Sequence, residues 1–246
     1  YGGERLIGYL ARGLAEGGHH VVGFDRRQTE MPASWCSAFV PVPEANQDGG
    51  CDPFPMAAAR YEAAQGKKFD VFHCVYFGDR WDREVLTRWN YAELVWCDWC
   101  HVANQTGQRP FNTVAYSHTL ANDMRGSGRP VTVIHYGIPF ADYTADADHD
   151  GYLVWIGKIE GGKGAEWAMD VAKRAGRKLI MMGPPYNSGY FRESILPRLG
   201  PNVLWLRGAT DRIKAQVFRR AAAFLSSNVD GWREHFGIVN IEALAS

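Results

Sequence analysis

The sequence lacks any excess of charge, since 27 Lys and Arg residues balance 27 Asp and Glu residues among 246. Zero formal net charge removes the simple electrostatic case for nucleic acid or an anionic membrane as the main partner. There is no run of about 18 apolar residues, so we predict no membrane-spanning helix. No basic-then-apolar leader is visible, so nothing in the sequence indicates export, and we expect a cytoplasmic protein.

Cysteine is also scarce: the five cysteines are scattered and odd in number, which predicts free thiols rather than a disulfide framework. One group stands out, because Cys97, Cys100 and His101 in "VWCDWCH" have the spacing that attaches a c-type haem. A thioredoxin-like motif would need a helix N-terminus, and none is evident. A zinc site would need further ligands such as His73 and Cys74. The apolar surroundings favour a buried strand over all three.

What the chain does contain is a repeated alternation of short apolar strands with helices. In the first half these strands include "HHVVGFD", "FDVFHCVYF", "NTVAYS" and "VTVIHYGIP", and in the second "YLVWIG", "KLIMMG", "NVLWLRG" and "AFLSS". This alternation predicts an α/β protein with parallel, doubly wound sheets. The polar, acidic stretch 140–150 indicates a linker, so we predict two Rossmann-like domains, 1–139 and 140–246, facing each other across a cleft that holds a ligand.

The glycine-rich stretch "GKIEGGKG" (157–164) follows a strand and opens a helix. It matches the Walker pattern except at the last position, where Gly164 replaces the Ser or Thr whose hydroxyl holds magnesium. Helix N-termini bind anions, so the stretch predicts phosphate binding without magnesium-dependent hydrolysis. A plain glycine-rich turn with solvated lysines is the alternative.

A second stretch, "EHFGIVNIE" (234–242), carries two carboxylates separated by seven residues. If both lay on one helix, Glu242 would be within about 80° of Glu234, and both could face a sugar. Gly237 would let backbone approach a ligand closely. Alternatively, Glu234 is a helix cap and Glu242 a solvated helix residue. At the N-terminus, "YGGER" indicates a Gly-Gly turn before a helix.

These stretches, taken in order with "FDVFHC", "VIHYGI", "NVLWLRGATD" and "AAAFLSS", resemble the landmarks of the retaining glycosyltransferases of family 4, which have the GT-B fold. The resemblance covers nearly the whole chain, and "EHFGIVNIEALA" is its most specific part. The family pattern has a strand before "YGGER" and continues past "EALAS". We therefore expect the second domain to be incomplete at its C-terminus.

The resemblance implies a nucleotide diphosphate sugar as donor, bound mostly by domain 140–246. It implies that Lys158 and Lys163 hold the diphosphate, with Lys158 where the family often has arginine. It also implies that Glu242 grips the ribose, Glu234 contacts the transferred sugar, and His101 lies beside that sugar, with His73 and His118 as rivals. Further expected donor-binding positions are Gly3, Arg207, Gly208, Phe236, Gly237, Ile238 and Val239.

The implied chemistry is hexosyl transfer with retention at the anomeric carbon by a same-face displacement. The leaving phosphate would help to deprotonate the incoming hydroxyl, and lysines and helix amides would stabilise the diphosphate. No cofactor or metal is expected, UDP and GDP sugars are candidate donors, and the acceptor would be a small natural product or a glycan. The competing hypotheses are a P-loop-like nucleotide-binding protein without glycosyl transfer and a redox or haem protein.

Overall fold

The computed structural model describes residues 2–25, 34–42, 53–74, 94–97, 112–124, 131–232, 234 and 236–246. Residue contacts divide the chain into two compact units, Tyr1–Gly137 (unit 1) and Ile138–Ser246 (unit 2). Every pairing among the described strands of both units is parallel, which confirms the predicted α/β class. No helix in the described ranges is long and apolar enough to cross a bilayer.

The described residues of unit 1 form two parallel sheets. Strands β1 and β2 pair with each other, and the other four strands form a sheet in the order β3-β4-β5-β6. The elements are α1 (Gly2–Glu16), β1 (Val22–Asp25), β2 (Ala38–Pro41), α2 (Pro53–Gln65), β3 (Phe72–Cys74), β4 (Leu94–Cys97), β5 (Asn112–Ala115), α3 (His118–Met124) and β6 (Val131–Val133).

The spacing of Leu6, Leu10 and Leu14 predicts one buried face of α1; Leu6 is buried, whereas Leu10 and Leu14 are partly buried. It ends where the two glycines allow the chain to turn: Gly18 has φ 85°, and the His19 amide donates to the Leu14 carbonyl at 3.0 Å. Strand β2 and helix α2 were not predicted. The apolar positions of α2 are spread around the helix and give no amphipathic stripe, so periodicity does not reveal it.

Unit 2 is built on a four-stranded parallel sheet in the order β10-β7-β8-β9. Its elements are β7 (Leu153–Ile156), α4 (Ala165–Arg174), β8 (Leu179–Met182), β9 (Val203–Leu206), α5 (Asp211–Arg219), β10 (Ala223–Phe224) and α6 (Ile238–Leu244). Short helical turns cover Phe140–Asp142 and Gly161–Lys163, and an irregular helical segment runs through Ser188–Tyr190, Phe191–Ile195 and Leu196–Arg198.

The core of unit 2 lies between this sheet and α4. Trp155, Met181 and Ile195 are among its almost fully buried side chains, and burial of each such side chain contributes about 1.5–3 kcal/mol. The spacing of Ala165, Ala168, Met169, Ala172 and Ala175 predicts one buried face of α4, and the first four are buried. The prediction is wrong at Ala175, which is exposed because the helix has already ended there.

The predicted linker is attached to the end of α5 rather than running free. The Arg220 guanidinium donates to both carboxylate oxygens of Asp150, at 2.6 and 2.8 Å, and to Asp146 at 3.1 Å. Arg219 Nε donates to Asp146 at 2.6 Å. Backbone bonds from the Asp146 and Asp150 amides to the carbonyls of these arginines complete the attachment. This part of the chain is therefore fixed to unit 2.

Candidate functional site

The candidate site lies on the loop that leaves β7 at the carboxyl edge of the unit 2 sheet. We call residues 157–164 the glycine loop. It ends in a 3₁₀ turn over Gly161–Lys163 and a left-handed Gly164 (φ 67°), after which α4 begins. The Trp155 indole in β7 donates to the Lys163 carbonyl at 3.3 Å and holds the loop on the sheet. The predicted order of strand, glycine loop and helix is thus present.

Two glycines of this loop are required by packing against a segment that follows β10, residues 227–232, which we call the docked segment. A Cβ on Gly164 would lie 1.6 Å from the Ser227 carbonyl oxygen, and a Cβ on Gly162 would lie 2.0 Å from the Trp232 ring. The Ser227 hydroxyl donates to the Gly164 carbonyl at 2.7 Å, and the Val229 amide donates to the Gly162 carbonyl at 3.2 Å. The Walker-like glycine spacing therefore has a packing explanation.

The docking of this segment brings two predicted site residues together although they are 71 positions apart. The Lys163 ammonium forms an ion pair with the Glu234 carboxylate. The same ammonium lies over the Trp232 ring, 5.2 Å from its centroid. The two ion-paired side chains are 20% and 33% exposed, so a ligand from solvent can reach them.

The second predicted phosphate-binding residue, Lys158, also lies over an aromatic ring, with its ammonium 4.5 Å from the centroid of Tyr186. The loops carrying these residues, after β7 and β8, approach closely: a Cβ on Gly183 (φ 138°) would lie 1.9 Å from the Gly157 carbonyl oxygen. The Trp205 indole donates to the Gly183 carbonyl at 2.9 Å and fixes that turn.

The prediction that Glu234 and Glu242 share one helix is wrong. Helix α6 begins at Ile238, after Gly237 in the left-handed region (φ 67°), so Glu234 precedes it. A Cβ on Gly237 would lie 2.5 Å from the end of the Asn240 side chain and 3.2 Å from Glu234 Cγ, and the left-handed backbone favours glycine at this turn.

Glu242 is fully buried, so the alternative that it is a solvated helix residue is wrong. Its Oε1 accepts hydrogen bonds from Lys214 Nζ at 2.5 Å and from the Tyr143 hydroxyl at 2.9 Å. Lys214 is also buried and lies 3.4 Å from an oxygen of Asp211. The structure therefore does not bring Glu242 to the Lys163–Glu234 pair, and its contact with a ribose stays a prediction.

The remaining predicted positions of unit 2 lie at two places. Arg207 and Gly208 are exposed in the turn that follows β9. Phe236, Ile238 and Val239 are partly buried around the start of α6, and Gly237 is buried. Their predicted contacts with the donor stay predictions.

Unit 1 differs from prediction at two of its predicted positions. Gly3 lies in the first turn of α1 rather than in a turn before it, because the helix already includes Gly2. His118 is exposed at the first residue of α3 rather than in a surface loop. His73 lies in β3, as predicted for a strand histidine. Cys97 ends β4, whereas Cys100 and His101 lie outside the described residues.

The described ranges contain no cluster of three or more His, Cys, Asp or Glu side chains arranged to hold a metal ion. Burial, followed by a hydrogen bond to Glu166, raises the pKa of Tyr190 to about 12, so this side chain stays neutral. What the site can do chemically depends on its two lysines, which can compensate the charge of an anionic ligand.

The sequence analysis missed four side chains that shape this region, namely Trp232, Ser227, Lys214 and Tyr143. Trp232 could have been proposed from the sequence, because it lies two positions before Glu234 in "GWREHFG". Ser227, Lys214 and Tyr143 form hydrogen bonds with residues 28 to 99 positions away, and no local sequence pattern predicts such contacts.

No family model and no curated protein sequence matches the chain. Among solved structures it is similar to AviGT4, a glycosyltransferase involved in avilamycin A biosynthesis, at 22% identity and TM-score 0.67, covering 98% of this chain and 67% of that one. A glycosyltransferase from Rickettsia africae is 16% identical, with TM-score 0.70 and coverage of 98% and 73%. Anabaena HepE, solved with UDP and glucose, is 14% identical, with TM-score 0.68 and coverage of 100% and 75%. The chain has the GT-B fold that was predicted.

Proposed function

We propose that this protein is a glycosyltransferase that moves a sugar from a nucleotide diphosphate sugar to an acceptor hydroxyl. The observation that carries the proposal is the Lys163–Glu234 pair, formed at the carboxyl edge of a parallel sheet by two stretches distant in sequence. Ligands of open α/β sheets bind at this edge. The GT-B fold and the UDP and glucose bound by HepE support the class of donor.

In the proposed mechanism Lys163 and Lys158 compensate the charge that develops on the leaving diphosphate. Both ammonium groups are already placed at the same edge of the sheet, each over an aromatic ring. Glu234 turns from Lys163 to accept hydrogen bonds from hydroxyls of the transferred sugar. We further propose retention of the anomeric configuration, as in family 4, with no carboxylate nucleophile and no metal requirement.

The proposal also includes donor contacts from residues away from the Lys163–Glu234 pair. Glu242 would bind the donor ribose, and because its carboxylate is buried, that contact requires α6 to shift when the donor binds. His101 would lie beside the transferred sugar. Arg207 and Gly208 would contact the base, and the backbone around Gly237 would face the sugar and distal phosphate, with Gly3 against the phosphate.

Two neighbours support a class of acceptor: AviGT4 is involved in avilamycin A biosynthesis, and WaaG, another glycosyltransferase, in lipopolysaccharide biosynthesis. We propose a small natural product or a glycan as acceptor, and a cytoplasmic location.

The test is calorimetry of the protein with UDP, GDP and ADP sugars, followed by product analysis with a panel of hydroxyl acceptors. We expect one base to bind in preference to the other two and the product to keep the donor's anomeric configuration. Absence of binding to every donor would overturn the proposal. Metal-dependent ATP hydrolysis instead would favour the P-loop-like alternative.

A further inference from the structure

The Trp232 ring lies against two consecutive residues of the glycine loop. The ring covers Gly162, where a Cβ would lie only 2.0 Å from it, and the Lys163 ammonium lies above the ring at 5.2 Å from the centroid. The side chain is nevertheless 40% exposed, so it is not a core residue. A large aromatic side chain is thus kept at the surface against the one loop that carries Lys163.

The backbone fixes the ring in this place. The Trp232 amide donates to the Val229 carbonyl at 3.0 Å, and the Val229 amide donates to the Gly162 carbonyl at 3.2 Å. The first bond closes a turn within the docked segment, and the second connects that segment to the glycine loop immediately beside Lys163. The ring and the lysine therefore belong to one hydrogen-bonded assembly.

We infer that Trp232 is a positioning residue that holds the Lys163 ammonium at the edge of the sheet for an incoming diphosphate. This inference rests on the proposed function. Lysine has a flexible stem with a point charge at its end, so without a second contact its ammonium samples many positions. Glu234 provides one contact, but a donor that recruits this carboxylate to its sugar removes it. The aromatic face attracts the cation through its quadrupole and does not compete with phosphate for hydrogen bonds.

The first arm of the test needs no ligand and uses NMR of the protein made with isotope-labelled lysine. A lysine side chain above an indole ring gives upfield-shifted signals, which Lys163→Arg would identify by their loss. We expect these signals in the unmodified protein, their retention in Trp232→Phe and their loss in Trp232→Leu. The control is Trp167→Leu, which removes a tryptophan that is 62% exposed on α4, and it should leave the signals in place. An unmodified protein without shifted Lys163 signals would overturn the inference.

The second arm measures the dissociation constants of UDP, GDP and ADP by calorimetry. An exposed cation–π contact predicts that Trp232→Leu weakens the best of these ligands about two- to fivefold and that Trp232→Phe restores most of the loss. Equal affinity of Trp232→Leu and unmodified protein would overturn the positioning role. If the unmodified protein binds none of the three, the proposed function fails, and the NMR arm still decides whether Trp232 orients Lys163.

Discussion

Two lysine–glutamate pairs lie within unit 2 and have opposite environments. Lys163 in the glycine loop meets Glu234, which follows the docked segment, and their side chains are 20% and 33% exposed. Lys214 and Glu242 meet between α5 and α6, with side chains 5% and 0% exposed. The glutamates are only eight positions apart, and the left-handed Gly237 between them sends one to the surface and the other into the interior.

The difference between the pairs indicates what each can do. A partly exposed pair contributes about 0–1 kcal/mol, so a ligand that offers a better partner can replace it. Both charges of a buried pair have lost their contact with water, so removal of one residue leaves the other charge buried without a counterion. The same two residue types therefore suit ligand binding in one place and the attachment of helices in the other.

The largest expected effect separates the pairs by stability. Lys214→Met leaves the Glu242 carboxylate buried without its cation, so we expect the free energy of unfolding to fall by about 3–5 kcal/mol. Urea unfolding measures it. Adding Glu242→Gln should recover part of the loss, because the buried charge is then gone. Lys163→Met is the matched control and should cost at most about 1 kcal/mol. Similar losses for both lysines would contradict the distinction.

The next effect concerns how the docked segment holds the exposed pair in place. Gly164→Ala adds a Cβ 1.6 Å from the Ser227 carbonyl oxygen at a residue with φ 67°. Gly176→Ala is the control, because its φ is similar at 62° but a Cβ there meets nothing within 4 Å. The control should cost about 1–2 kcal/mol for the left-handed conformation alone. We expect Gly164→Ala to cost measurably more in the same unfolding assay, and equal costs would show that the contact with Ser227 is unimportant.

The sequence predicts structure that depends on neighbouring residues better than contacts between residues far apart in the chain. The strands other than β2, together with α4 and α6, follow from local apolar patterns and glycines, whereas the GT-B fold is implied by the family resemblance. The predicted roles of Lys163 and Glu234 depend on the resemblance, and their contact was not derivable from spacing. It requires the docked segment to lie on the glycine loop, and the hydrogen bonds that fix it join residues 63 and 67 positions apart.

The burial of Glu242 could not be predicted from its neighbours in the sequence. A helical wheel assigns it a direction only if the helix starts where the wheel assumes, and α6 starts four residues after Glu234. Its two partners lie 28 and 99 positions away, on α5 and in the linker, so its burial depends on tertiary packing alone. An acidic residue is a poor predictor of burial unless its partners are known.

The third prediction uses the accessibility of the exposed pair. Lys163→Ala removes a charged group from the proposed diphosphate site, and a hydrogen bond to a charged group contributes about 1.5–3 kcal/mol, so we expect nucleoside diphosphate binding to weaken roughly 10- to 150-fold. Calorimetry with the best-binding nucleotide measures it. Lys173→Ala, an exposed lysine in the last turn of α4, is the control and should bind normally. Equal affinities in the two variants would remove Lys163 from the site.

The smallest effect extends the comparison to a third set of ion pairs, the partly exposed attachment of the linker to the end of α5. A hydrogen bond from Arg219, followed by one from Arg220, lowers the pKa of the Asp146 carboxyl below its ordinary value, and a hydrogen bond from Arg220 does the same for Asp150. Carboxyls with lowered pKa in the folded protein add stability that is present above their unfolded pKa and is lost as the pH falls through the folded value. Between about pH 6 and about pH 3, the unfolding midpoint of the unmodified protein should therefore fall more than that of Arg220→Gln. Arg192→Gln, at an exposed arginine of the irregular helical segment, should keep the full pH dependence. A pH dependence unchanged in Arg220→Gln would mean that these exposed pairs, unlike the buried pair, add nothing to stability.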